Sequence, residues 1–125
     1  MTSSSSASLK HVSFLSADVD AVIAFYTLLG AAVEKDLQTA EGFRRVVLGF
    51  DGGKLQFFEA AGEVPRPHPA WQEHIALHLH DLKGSVGLLK QRGTTFSREL
   101  GLSPSGNPMA FVLDPDGRQV ELLQR

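Results

Sequence analysis

The chain has 125 residues, of which 42% are hydrophobic, and carries a formal net charge of -2 at pH 7. This length suits one domain, or two small modules that share a core. No apolar run approaches the roughly 18 residues that cross a membrane, and the small net charge gives no sign of a nucleic-acid surface. The chain contains no cysteine, so a metal would be held by imidazole, carboxylate or amide groups.

The first half of the chain predicts a tail and then one strand, one helix and three more strands. Residues 1–8 are small and polar, lack the features of a signal peptide and predict a disordered tail, with the cytoplasm as the default location. A strand is expected at 9–16. Asp18 is placed as a helix N-cap, and Gly30 ends that helix. The strands that follow are expected at 31–37, 43–50 and 54–59.

The second half repeats this pattern. A linker is expected at 60–71, because three prolines there prevent both helix and central strand. Asp81 then caps a second helix and Gly93 ends it. A loop is predicted at 101–108. The strands of this half are expected at 72–80, 94–98, 109–113 and 118–124.

Similar residues recur at matching positions in the two halves, which indicates an internal duplication. One constant spacing separates three pairs of residues, namely His11 and His74, Asp18 and Asp81, and Gly30 and Gly93. A spacing two residues longer relates Asp51 to Asp116 and Gln56 to Glu121. The sequence therefore predicts an α+β domain at 9–125, with two βαβββ modules at 9–59 and 72–125. Each module is too small to be stable alone, so the two must pair, within the chain or across a dimer.

Polar side chains on the strands outline a cleft between the two curved sheets. In 72–80 the apolar residues fall on alternate positions, which leaves His74, His78 and His80 on the opposite face. The inward residues at equivalent positions of the modules are His11, Gln56, His74 and Glu121. Such a mixed nitrogen and oxygen set suits Zn, Ni, Co, Mn or Fe(II). Gln56 fits equally well as a hydrogen-bonded amide that lines the cleft.

Two further residues are weaker candidates for substrate contact. His78 points into the same cleft, where it could also simply fill a wet cavity. Arg45 could contact an anionic substrate, although an exposed strand often carries such a charge. Glu59 has the opposite parity to Gln56 and is expected to point away from the cleft.

Sequence motifs covering most of the chain resemble the vicinal oxygen chelate superfamily, which includes glyoxalase I, methylmalonyl-CoA epimerase, extradiol dioxygenases and bleomycin-binding proteins. The matching segments are Leu-Lys-His at 9–11, Phe-Tyr-Thr-Leu-Leu-Gly at 25–30, Lys-Leu-Gln-Phe at 54–57, His-Ile-Ala-Leu at 74–77 and Phe-Val-Leu-Asp-Pro-Asp-Gly-Arg-Gln-Val-Glu-Leu at 111–122. The resemblance implies a glyoxalase-like fold around a metal cleft, a small-molecule substrate and a homodimer.

The resemblance also implies a chemistry. A divalent metal would hold the vicinal oxygens of a substrate and stabilise an enediolate, with Glu121 as both ligand and general base. An epimerase that uses the same intermediate and a non-catalytic drug- or metabolite-binding protein are the alternatives. Bacterial glyoxalase I has Arg four residues after its first ligand and Asn four after its second. This chain has Leu15 and Ala60 there, which argues against glutathione as co-substrate.

Overall fold

Two sheets and two helices make up the fold, in a computed structural model that describes residues 6–125. Most of the predicted tail, residues 1–5, lies outside this range, and residues 6–8 are exposed without helix or strand. The elements are β1 (Val12–Ser16), α1 (Val19–Leu28), β2 (Ala32–Gln38), β3 (Arg44–Phe50), β4 (Gly53–Glu59), β5 (His74–Leu79), α2 (Leu82–Gln91), β6 (Phe96–Leu102), β7 (Pro108–Leu113) and β8 (Gln119–Gln124).

The two sheets have the same topology. Each has four strands, ordered β1-β4-β3-β2 in one sheet and β5-β8-β7-β6 in the other. The first strand of each module runs parallel to the last, and the remaining pairs are antiparallel. This repeated order confirms the predicted α+β fold of two βαβββ modules. Among residues 6–125, neither helix is long and apolar enough to cross a membrane.

Both helices begin and end where the sequence predicts. The Asp18 side chain accepts a hydrogen bond from the backbone N–H of Ala21, and Asp81 does the same for Gly84. These caps satisfy N–H groups that have no partner inside a helix. Gly30, just beyond α1, has φ 105°, a conformation that a side chain would strain.

The largest difference from prediction lies in the second sheet. β6 extends to Leu102 and β7 begins at Pro108, so the prediction of a loop at 101–108 is wrong at both ends. Gly101 and Leu102 pair with Met109 and Pro108 of β7, after two shifts of register. Pairing with a neighbouring strand extends β6 here, and the local sequence carries no alternation that would reveal it. Three strands begin two or three residues later than predicted, β1 at Val12, β5 at His74 and β6 at Phe96.

Both modules contribute to a single hydrophobic core. Phe57 and Tyr26 of the first module and Leu89, Val120 and Leu122 of the second are among its buried residues. Burial of such side chains stabilises a fold by about 1.5–3 kcal/mol each. The two modules therefore pair within one chain, which is one of the two arrangements that the sequence predicts.

A buried carboxylate connects the modules. Asp114 lies in the β7–β8 turn and accepts hydrogen bonds from the Tyr26 hydroxyl of α1 at 2.7 Å and from the Arg118 guanidinium at 3.2 Å. It also accepts from the backbone N–H groups of Asp116 and Arg118. Burial and the nearby charge of Asp114 raise the pKa of Tyr26, so the hydroxyl keeps its proton and donates. Arg118 also donates to the backbone oxygen of Leu15 on β1.

Removing this carboxylate should destabilise the fold more than any surface change. Asp114→Ala removes the buried acceptor of Tyr26 and of two backbone N–H groups, and leaves Asp116 as the remaining carboxylate partner of Arg118, so we expect the free energy of unfolding in urea to fall by about 3 kcal/mol. Tyr26→Phe removes one neutral donor and should cost about 1 kcal/mol. Asp114→Asn provides a milder variant if Asp114→Ala does not fold. Equal losses for Asp114→Asn and Tyr26→Phe would contradict the central role of the charge.

Candidate functional site

An imidazole and a carboxylate meet on the open face of the second sheet. β5 and β8 are parallel neighbours, in which Ala76 pairs with Glu121 and His74 with Gln119. This offset places the His74 Nε2 atom 3.1 Å from the Glu121 Oε1 atom. The two side chains are 23% and 19% exposed, so ligands can reach them.

The His74 ring has its proton position fixed by the backbone. Its Nδ1 atom lies 2.6 Å from the carbonyl oxygen of Trp71, and a carbonyl can only accept, so Nδ1 carries a proton. In the neutral ring Nε2 then has a lone pair, and that lone pair points at the Glu121 carboxylate. Two acceptors facing each other need a proton or a cation between them. A backbone carbonyl behind a histidine is also the usual support of a metal-binding imidazole.

The equivalent pair of the first module is His11 and Gln56. Gln56 lies on β4, opposite Ser13 of β1, and His11 directly precedes that strand. The Gln56 Nε2 atom lies 3.4 Å from the His11 Nε2 atom and 3.1 Å from the Ser13 hydroxyl. The structure therefore brings His11 and Gln56 together, as the duplication predicts.

Arg45 determines which way the Gln56 amide points. The Arg45 Nε atom donates to the Gln56 Oε1 atom at 2.7 Å. Because a guanidinium has only donors, the oxygen must face Arg45, and the NH₂ group must face His11 and Ser13. An N–H group of Gln56 therefore faces the His11 Nε2 atom. The sequence suggested Arg45 as a substrate contact, but not this bond, since Arg45 lies on the neighbouring strand β3.

The two pairs remain separate within one chain. Over residues 6–125, no three His, Cys, Asp or Glu side chains come together in a metal-binding group. His11 and Gln56 lie on the first sheet and His74 and Glu121 on the second, and no hydrogen bond joins the pairs in this part of the chain. Within residues 6–125, His11, His74 and Glu121 therefore do not form one group.

A cavity of about 940 Å³ opens on the face of the second sheet. Its lining includes the His74–Glu121 pair and the predicted His78, whereas His80 does not contribute. Other lining residues are Trp71, Arg98, Met109 and Phe111, of which Arg98, Met109 and Phe111 were not predicted from the sequence as site residues. Trp71 is 61% exposed, and its ring meets that of Phe111 edge-on at 6.4 Å. The volume suits a small organic molecule.

Glu59 does not belong to the cleft. Its Oε2 atom accepts a hydrogen bond from the backbone N–H of Val19 at 3.0 Å, at the start of α1. A carboxylate there complements the positive end of the helix. The prediction that Glu59 points away from the cleft is therefore confirmed.

Comparison with known proteins identifies the family. Residues 8–122 match the Glyoxalase/Bleomycin resistance protein/Dioxygenase superfamily, and the chain belongs to this superfamily. A protein described as a probable lactoylglutathione lyase of Vibrio cholerae is 29% identical over 114 residues, covering 86% of this chain and 83% of that protein.

Solved structures agree with this assignment. The trypanothione-dependent glyoxalase I of Leishmania major is 30% identical, with a TM-score of 0.78, over 95% of this chain and 87% of that one. Glyoxalase I of Zea mays has a TM-score of 0.80 at 24% identity, which shows a shared fold. The match covers 94% of this chain but only 44% of the maize chain.

Releasing the Gln56 oxygen should strengthen cation binding beside His11. In Arg45→Met the amide can turn its oxygen toward His11, and a nearby positive charge is lost, so we expect about tenfold tighter Zn²⁺ binding by calorimetry. Arg44→Met is the matched control, because it removes the same charge from a residue that pairs with Asp20 and Asp36 instead. Equal effects of the two changes would show that net charge alone is responsible.

Proposed function

We propose that this protein is a divalent-metal-dependent lyase or isomerase of the glyoxalase type, acting on a small substrate with vicinal oxygens. The observation that carries the proposal is the His74–Glu121 pair. The Nε2 atom and the carboxylate face each other at 3.1 Å, while the Trp71 carbonyl holds the proton on the far side of the ring. Membership of the superfamily supports this function, because glyoxalase I proteins are among its similar members.

The donors of the cleft fit a divalent cation. His74 and Glu121 supply one nitrogen and one oxygen on the same open face, and His11 supplies a second nitrogen on the other sheet. Gln56 would join them only after its oxygen turns from Arg45. A cation bound by this set would supply the positive charge that draws electrons onto the substrate oxygens.

Glu121 is suited to move the proton. Its carboxylate lines the cavity and is the acidic side chain of the proposed set, while Gln56 cannot accept a proton at neutral pH. Glu121 removes a proton from the carbon next to a carbonyl; the electrons of that C–H bond form a C=C bond, and the π electrons of the carbonyl move onto its oxygen. Return of the proton to the former carbonyl carbon, with transfer of the neighbouring hydroxyl proton to the other oxygen, gives an isomer, and return to the opposite face of the same carbon gives an epimer.

The complete site forms across a homodimer in this proposal. His11 and Gln56 of one copy then face His74 and Glu121 of another, which accounts for the separation of the pairs within a single chain. Exposed apolar side chains accompany both pairs, among them Leu9, Val12 and Leu15 near His11 and Trp71 near His74. Such side chains are typical of a surface that a partner covers.

A non-catalytic binding protein is the second candidate. The exposed Trp71 ring and the buried Phe111 ring form an aromatic wall beside the cavity. Aromatic rings of this kind bind flat ligands without any chemistry.

Light scattering tests the dimer. We expect a dimer at micromolar concentration, and we expect Leu15→Glu to give monomers because it places a charge in the interface. Leu88→Glu is the matched control, since Leu88 on α2 is 46% exposed and Leu15 is 45% exposed. A wild-type monomer, or equal effects of the two variants, would contradict the shared site.

Exchange of a substrate C–H proton with solvent deuterium tests the reaction. Glu121→Gln keeps the size and one oxygen but removes the basicity, so we expect exchange to slow by about 100-fold or more while most metal binding is retained. The substrates are small α-hydroxycarbonyls and 2-oxoaldehyde–thiol adducts. The glutathione adduct should be poor, given Leu15 and Ala60.

Metal content provides the second measurement. Wild-type protein should hold about one divalent ion per chain, and His74→Ala should lose it, while His80→Ala, just after β5, should not. If Glu121→Gln exchanged the substrate proton at the wild-type rate, Glu121 would not be the general base. If the wild type held no metal and exchanged no substrate proton, the non-catalytic binding protein would be favoured over the enzyme.

A further inference from the structure

A bulge in β6 turns an arginine toward the cavity. Phe96 pairs with Val112 and packs against the core, whereas Arg98 pairs with Phe111 across a shift of register. Simple alternation would place Arg98 on the core side with Phe96. The extra residue, Ser97, already faces the cleft, where its hydroxyl donates to the Gln119 side chain at 2.6 Å. The shift places Arg98 on that face as well, and it lines the cavity.

The next residue returns to the helix side. Glu99 pairs with Lys90 of α2, and the Lys90 ammonium lies 5.1 Å above the Phe96 ring. Residues on either side of the bulge are thus held by the core and by α2. Arg98 itself is exposed, and its direction follows from the bulge and from the contacts of its neighbours.

Arg98 keeps most of its hydrogen-bonding capacity. Its Nη2 atom donates to the backbone oxygen of Leu102 at 3.2 Å, a bond that orients the guanidinium. None of the carboxylates in residues 6–125 forms an ion pair with Arg98, which shares this property with Arg45, Arg66 and Arg92, whereas Arg44, Arg118 and Arg125 have such partners. A guanidinium with free donors matches the two oxygens of a carboxylate.

Arg98 and Glu121 stand at opposite ends of one row across the sheet. Arg98 pairs with Phe111, and Phe111 pairs with Glu121. Two strand spacings separate their backbones by about 10 Å. The Phe111 ring between them is extended by the ring of Trp71 at 6.4 Å and that of His74 at 5.1 Å.

We propose that the cavity binds a small carboxylate with a flat apolar body. The carboxylate lies on Arg98, the apolar body lies against Phe111 and Trp71, and the opposite end reaches the His74–Glu121 pair. That this end of the ligand is the end that reacts rests on the proposed function, whereas binding of the ligand in the cavity does not.

The fluorescence of Trp71 reports binding directly, because the chain has one tryptophan. The probes are 4-phenylbutanoate and its neutral amide, which share the apolar body and differ in charge. Titrations are made with the protein as purified and again with a chelator, so that a bound cation cannot supply the attraction. We expect the acid to bind at least 10-fold more tightly than the amide in both conditions.

Two arginine variants locate the source of this preference. Arg98→Met should bind acid and amide equally, since it keeps the length of the side chain but loses the charge. Arg92→Met removes the same charge at the end of α2, outside the cavity, and should keep the full preference. Absence of binding, equal binding of acid and amide by the wild type, or a preference that survives in Arg98→Met would overturn the proposal.

These outcomes are separate from those that test the proposed function. A wild type that holds metal and exchanges the substrate proton, but shows no preference for the acid, would refute the Arg98 site alone. A preference for the acid that depends on Arg98, in a protein without metal or exchange, would refute the enzyme and leave the Arg98 site standing.

Discussion

One buried carboxylate, that of Asp114, links the two modules on which the site residues lie. It accepts from the Tyr26 hydroxyl of the first module and from Arg118, just before β8. The Arg118 guanidinium in turn lies 4.6 Å from the Phe14 ring of β1. Buried charges are costly unless they are paired and hydrogen-bonded, so few relative placements of β1 and β8 satisfy all of these groups. The geometry of the cleft therefore depends on bonds outside it.

The duplicated modules present different chemistry at equivalent positions. In the second module a carboxylate faces the lone pair of an imidazole, and that arrangement attracts a proton or a cation. In the first module Arg45 turns the Gln56 amide so that an N–H group covers His11. One fold thus produces an acceptor-rich half and a donor-rich half. The difference arises from two side chains, Gln56 and Arg45, and not from the backbone.

The open face of the second sheet shows how one scaffold can serve many reactions. The strands fix the positions of Glu121, Phe111 and Arg98 in a row, while the side chains in that row determine what binds there. A bulge changes which residues reach the face without changing the strand order. Members of such a superfamily can therefore share a fold at low sequence identity and still differ in ligand.

The sequence by itself determined the two modules, the helix caps at Asp18 and Asp81 and the alternation of core and cleft residues. These features follow from local periodicity and from residues that act on their own neighbours, so they can be read from short segments. The tertiary structure decided the length of β6, the orientation of Gln56 and the tautomer of His74. Each of these depends on a partner that the sequence does not mark, namely β7, Arg45 on a neighbouring strand and the Trp71 carbonyl. Hydrogen bonds across strands and loops set them, and no local pattern records such bonds.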